Sequence, residues 1–82
     1  MRIVFSKSAI KEVRRVPTKT LLSIAEKLGR YAENREANVD VSALQGEEDT
    51  YRLRYGTYRV LFTVQGDELM VLAVRPRGGA YQ

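Results

Sequence analysis

Five arginines and one tyrosine in the second half of this chain are the residues best placed to do chemistry. Three of the arginines lie in the run Tyr51-Arg52-Leu53-Arg54-Tyr55-Gly56-Thr57-Tyr58-Arg59-Val60. Side chains alternate between faces along a strand, and a two-residue Gly56-Thr57 turn of the glycine-first type pairs Tyr55 with Tyr58 and Arg54 with Arg59. Arg52 then stands opposite Leu61 on the same face. Like charges facing each other across a ladder are destabilising, so such a hairpin is built to receive an anion, and a phosphate fits a guanidinium fork best. The segment Val74-Arg75-Pro76-Arg77-Gly78-Gly79-Ala80-Tyr81 adds two more arginines and an aromatic. Pro76 lacks the donor a ladder needs and ends the last strand. Gly78 and Gly79 let the chain turn back so that Tyr81 approaches Arg59. Two readings stay open here: Arg59 and Arg77 grip a phosphate while Tyr81 stacks on a base, or the tail is solvated and does nothing.

The rest of the composition narrows the chemistry. The chain has 82 residues, enough for one domain over 1–82, and at this size roughly 60% of the unfolded surface is buried, which makes a small core. Fourteen lysines and arginines against ten acidic residues give a net charge of +4, which favours an acidic partner or serves solubility alone. No cysteine and no histidine are present. Disulfides, thiol chemistry and a transition-metal site are therefore not expected, and no cofactor is implied. Glu47, Glu48 and Asp49 form a solvated loop, since three adjacent carboxylates do not converge on one ion without further ligands. No signal-peptide core or membrane span is apparent, which predicts a soluble, cytoplasmic protein with no membrane partner.

The elements that must position these residues can be placed from periodicity. Residues 2–6 alternate as a short strand, closed by Ser6 as a helix cap or an ST-turn residue. A short helix fits 8–16 and stops at Pro17. Thr18 caps a longer helix over 18–35, in which Leu21, Ile24, Ala25, Leu28, Tyr31 and Ala32 recur at helical spacing. A polar loop over 36–49 follows, with Leu44 tucked inward. Strands over 50–55, 58–65 and 68–76 then form an antiparallel meander, joined by turns at Gly56-Thr57 and Gly66-Asp67. The predicted fold is α+β, ordered β-α-α-β-β-β, with a helical hairpin on one face of a small, mainly antiparallel, twisted sheet.

Turn parity assigns the faces. Val64 stands opposite Leu69, Phe62 opposite Val71 and Val60 opposite Ala73, so Tyr51, Leu53, Val60, Phe62, Leu69 and Val71 meet the helices. Tyr31, Tyr51 and Phe62 belong to that core. The other face carries Arg52, Arg54 and Arg59 together with Leu61, Met70, Leu72 and Val74. An apolar strip beside a cationic cluster calls for a cover: the C-terminus, self-association, or a partner peptide docking as a helix or an added strand. Lys7, Lys11, Arg14, Arg15, Lys19, Lys27 and Arg30 spread charge over the helical layer in the way solvated helix faces do.

With these residues in view, the sequence resembles the RelE/ParE superfamily of toxin–antitoxin toxins. The Leu44…Gly46 spacing, the Tyr51-to-Val60 hairpin, Ile3-x-Phe5-Ser6, the helical hairpin with Pro17 and the closing Arg77-x-x-x-Tyr81 carry the likeness over nearly the whole chain. The resemblance implies a microbial-ribonuclease-like fold and a ribosome-dependent, metal-independent endoribonuclease. Such an enzyme cleaves messenger RNA in the ribosomal A site and arrests translation. Its partners would be the ribosome, messenger RNA and a cognate antitoxin, the last within a higher-order hetero-oligomer. It also implies roles: Arg59 binds the scissile phosphate, Arg77 offsets charge on the transition state, and Tyr81 stacks a base or moves a proton. On the residues themselves, Arg52 and Arg54 join Arg59 and Arg77 in a catalytic electrostatic cradle and, with Arg75, add RNA-binding charge, while the apolar strip of Leu61, Met70 and Leu72 is expected to take the antitoxin. Arginines at 52 and 54 depart from the lysines common in RelE-type relatives, and Pro76 replaces a basic residue or histidine. An arginine stays protonated at accessible pH, so the usual acid and base roles are unfilled. A ParE-like branch that poisons DNA gyrase, a non-catalytic nucleic-acid-binding module, and a degenerate toxin that binds only its antitoxin are the alternative readings.

Overall fold

A computed structural model describes residues 1–76 of the chain. Its elements are β1 (Arg2–Phe5), α1 (Lys7–Val13), α2 (Thr18–Glu33), β2 (Val41–Ala43), β3 (Thr50–Tyr55), β4 (Tyr58–Gln65) and β5 (Glu68–Pro76). They form one five-stranded sheet in the order β1-β5-β4-β3-β2, antiparallel except where β1 runs parallel to β5. The three long strands have the boundaries that the two glycine turns predict. Gly56 and Gly66 sit at φ +55° and +58°, the left-handed region that glycine enters without steric cost.

Both helices start where local chemistry allows, though one differs from expectation. Ser6 caps α1 by accepting the Ala9 amide at 3.1 Å. Thr18 is not a cap: Pro17 occupies that position, its carbonyl accepts the Leu21 amide at 2.9 Å, and Thr18 is the first helical residue. Within the expected 36–49 loop, Val41–Ala43 forms the edge strand β2, paired with β3 at Val41–Leu53, Ser42–Arg52 and Ala43–Tyr51. Leu44 beyond it is half-buried, and its amide bonds the Thr50 carbonyl at 3.0 Å.

The core lies between the helices and one face of the sheet. Leu53, Val60, Phe62, Leu69 and Val71 are fully buried against Ile24, Leu28 and Tyr31. Ala25, expected on that stripe, is instead exposed. Tyr31 meets Phe62 edge-on at 5.6 Å between ring centres, and Tyr51 stacks on Phe62 at 5.7 Å, so all three aromatics are structural. Arg35 closes this end, donating from Nε to the Tyr31 hydroxyl at 2.8 Å and from Nη2 to the Tyr51 hydroxyl at 3.0 Å. The bond to Tyr31 chiefly raises the Arg35 pKa above its ordinary value, so this guanidinium stays charged.

Candidate functional site

The site is built on the sheet face away from the helices. β3 and β4 pair as the Gly56-Thr57 turn dictates, with Arg52 opposite Leu61, Arg54 opposite Arg59 and Tyr55 opposite Tyr58. β4 and β5 pair in the expected register from Gln65–Glu68 to Phe62–Val71, and then a bulge intervenes. Leu72 is the extra residue: Leu61 faces Ala73, Val60 faces Val74, and Arg59 faces Arg75. This corrects the expected Val60–Ala73 pair and moves Val74 from the open face into the core, where it is 3% exposed.

The bulge has a chemical consequence. Arg54, Arg59 and Arg75 now stand in one transverse row across three neighbouring strands. Directly opposed Cα atoms lie about 4.5–5.5 Å apart in an antiparallel ladder, so the row spans about 10 Å. An unbulged β5 would have put Val74 opposite Arg59.

Arg52 flanks the row one pair further along β3, half-buried, with Nη2 at 3.4 Å from the Ser42 hydroxyl of β2. Its Nε is buried and has no hydrogen-bond acceptor among the described residues. A buried guanidinium N–H without an acceptor is costly, and an anion on this face would satisfy it. The Nε of Arg59 is buried as well, whereas Arg54 is exposed. Arg75 donates from Nε to Glu12 Oε2 of α1 at 2.7 Å. Glu12, which sequence reasoning missed, also accepts the Val74 amide at 2.9 Å on Oε1. It lines a cavity of about 420 Å³ with Arg15, Tyr58, Arg75 and Pro76 among its other walls. No periodicity signals a contact between residues 62 positions apart.

By register the structure thus brings Arg52, Arg54, Arg59 and Arg75 to one face, with the Arg75 guanidinium turned to the outer edge of β5, where it meets Glu12. Arg77 and Tyr81 lie outside the described residues. Leu61, Met70 and Leu72 are half-buried, Leu61 and Met70 by register on the arginine face. The exposed large apolar residues among those described are elsewhere: Phe5, Ile10 and Leu22 edge a cleft between β1 and the two helices. No helix among the described residues is long and apolar enough to cross a membrane.

Comparison with known proteins places this geometry. A family profile described as "ParE toxin of type II toxin-antitoxin system, parDE" matches residues 3–81. Toxin RelE3 of Methanocaldococcus jannaschii is 27% identical over 84 residues, covering 99% of this chain and 96% of that protein. The RelB–RelE antitoxin–toxin complex of Methanococcus jannaschii contains a chain that superposes with a TM-score of 0.81 at 24% identity, over 95% of this chain and 94% of that one. The archaeal RelE–RelB complex of Pyrococcus horikoshii OT3 gives 0.71 at 29% identity, over 95% and 96%. The isolated RelE toxin of E. coli gives 0.79 at 22%, over 98% and 89%, a likeness that establishes the shared fold.

Proposed function

The chain belongs to the ParE toxin family of type II toxin–antitoxin systems, and from that premise we propose that it acts as a ribosome-dependent endoribonuclease, cutting messenger RNA and arresting translation. The observation that carries this reading is the row Arg54–Arg59–Arg75, flanked by the buried Nε of Arg52. RNA cleaves when its 2′-oxygen attacks the adjacent phosphorus, the bond to the 5′-oxygen breaks, and a cyclic phosphate and a 5′-hydroxyl remain. The 2′-hydroxyl loses a proton and the leaving 5′-oxygen gains one. Negative charge on the phosphoryl oxygens is what the protein must stabilise, and fixed guanidiniums in a partly desolvated site are suited to that.

Arg59 takes the scissile phosphate in this reading, Arg52, Arg54 and Arg75 track the backbone, and Arg77 and Tyr81 complete the site. None of these arginines serves as a proton acceptor at neutral pH. Free RNA is therefore a poor substrate, and the ribosome supplies the alignment and proton-transfer groups that the chain lacks. An antitoxin peptide covers Leu61, Met70 and Leu72 and masks the arginines beside them, in a hetero-oligomeric complex. Support for a protein partner comes from the relatives solved as RelB–RelE complexes.

The family profile carries the ParE name, which favours gyrase poisoning as a second reading. Primer extension on translating ribosomes, run beside a gyrase supercoiling assay, separates the two. The nuclease reading expects new 5′ ends within codons and unimpaired supercoiling; lost supercoiling without cleavage overturns it.

A further inference from the structure

We propose that Glu12 is a positioning residue that fixes Arg75 in the arginine row, an inference that rests on the nuclease reading of this face. After Phe5 pairs with Val71, β1 ends, and the outer edge of β5 continues from Leu72 to Pro76 without a neighbouring strand among the described residues. The bulge at Leu72 falls at the start of this stretch, where a ladder is locally disrupted and bends. Among the described residues, contacts other than strand pairing hold this outer edge.

α1 does so at two points. At its beginning, Ser6 donates its amide to the Val71 carbonyl at 2.9 Å and its hydroxyl to the Leu72 carbonyl at 3.3 Å. Further along the same helix, the Glu12 carboxylate takes two donors from consecutive residues of β5. Oε1 accepts the Val74 amide at 2.9 Å, and Oε2 accepts the Arg75 Nε–H at 2.7 Å. One oxygen therefore holds the backbone just beyond the bulge, and the other directs the guanidinium. The charge matters as well as the geometry. Three arginines in register repel one another, and a carboxylate bonded to the outermost one offsets part of that repulsion. Arg15 lines the same cavity, so a second cation stands on the Glu12 side of the row.

The test compares the parent with Glu12→Gln, Glu12→Ala, Arg75→Ala and the Glu12→Ala/Arg75→Ala double variant. Nitrogen-15 NMR reports exchange at the Val74 amide and the Arg75 Nε–H, while cleavage is timed on programmed ribosomes. Glu12→Gln should keep the Val74 amide protected and release the Arg75 Nε–H. Glu12→Ala should release both and raise KM about ten-fold with little change in kcat, and that rise should disappear in the Arg75→Ala background. The inference is overturned if Glu12→Gln leaves Arg75 Nε–H exchange unchanged, or if Glu12→Ala costs the same factor with and without Arg75. If the parent does not cut messenger RNA, the nuclease reading fails. The positioning inference is then decided by the exchange data and by affinity for a 2′-deoxy-substituted RNA oligonucleotide. That affinity should fall in Glu12→Gln only while Arg75 is present, and an equal fall without Arg75 would sink it.

Discussion

The two faces of this sheet are made by the same strands and serve opposite ends. Phe62 and Leu61 are neighbours on β4; the first is fully buried among Tyr31, Tyr51 and the helices, and the second is half-buried beside the arginines. On the helix side Leu53, Val60, Phe62, Leu69 and Val71 are fully buried, and the free energy of folding is concentrated there. The other side gathers like charge, leaves the Arg52 Nε buried without an acceptor among the described residues, and needs a carboxylate from α1 to steady its outer edge. Such a face costs stability, which is the usual signature of a surface kept for binding. In so small a domain, period-two alternation lets one sheet carry both a core and a site.

Substitutions that separate the faces test that contrast. The largest effect belongs to the core: Phe62→Ala should destabilise the fold by about 3–5 kcal/mol in urea denaturation, removing activity only by unfolding the protein. Arg54→Ala, in the row but exposed, should leave the urea midpoint nearly unchanged and slow cleavage about ten-fold, or about 1.4 kcal/mol, on ribosomes. A matching loss of stability would merge the two faces into one. Leu61→Ala should cost about 1 kcal/mol of stability, much less than its neighbour Phe62, and weaken antitoxin binding measured by calorimetry. The smallest effect is at the tip: Gly56→Ala meets no atom within 4 Å, so only the φ of +55° opposes it, at about 1 kcal/mol in the same unfolding assay.

Much of this architecture was legible because short glycine turns fix parity. Gly56-Thr57 and Gly66-Asp67 determine which residues of β3, β4 and β5 share a face, so the Arg52, Arg54 and Arg59 cluster follows from the sequence. The signal fails where no turn enforces it. Leu72 lies in a continuous apolar run, Met70-Val71-Leu72-Ala73-Val74, which is compatible with either register, so the bulge and the Arg59–Arg75 pair were hidden. β2 is three residues long, and its Ser42 and Ala43 are exposed, so it has no alternation to detect. Pro17 took the cap position expected of Thr18 because its carbonyl already begins the hydrogen-bond ladder of α2. Glu12 resembled any solvated helix carboxylate, and its role exists only once α1 lies along β5.

The central claim is that the arginine face cuts messenger RNA on the ribosome with Arg59 at the scissile phosphate. Its most direct test is the rate at which the parent and an Arg59→Ala variant of native circular dichroism cleave messenger on programmed ribosomes. The parent should cut, and Arg59→Ala should be slowed about 100-fold or more, equivalent to about 2.7 kcal/mol of lost transition-state stabilisation. A folded Arg59→Ala protein that cleaves at the parent rate would contradict the account.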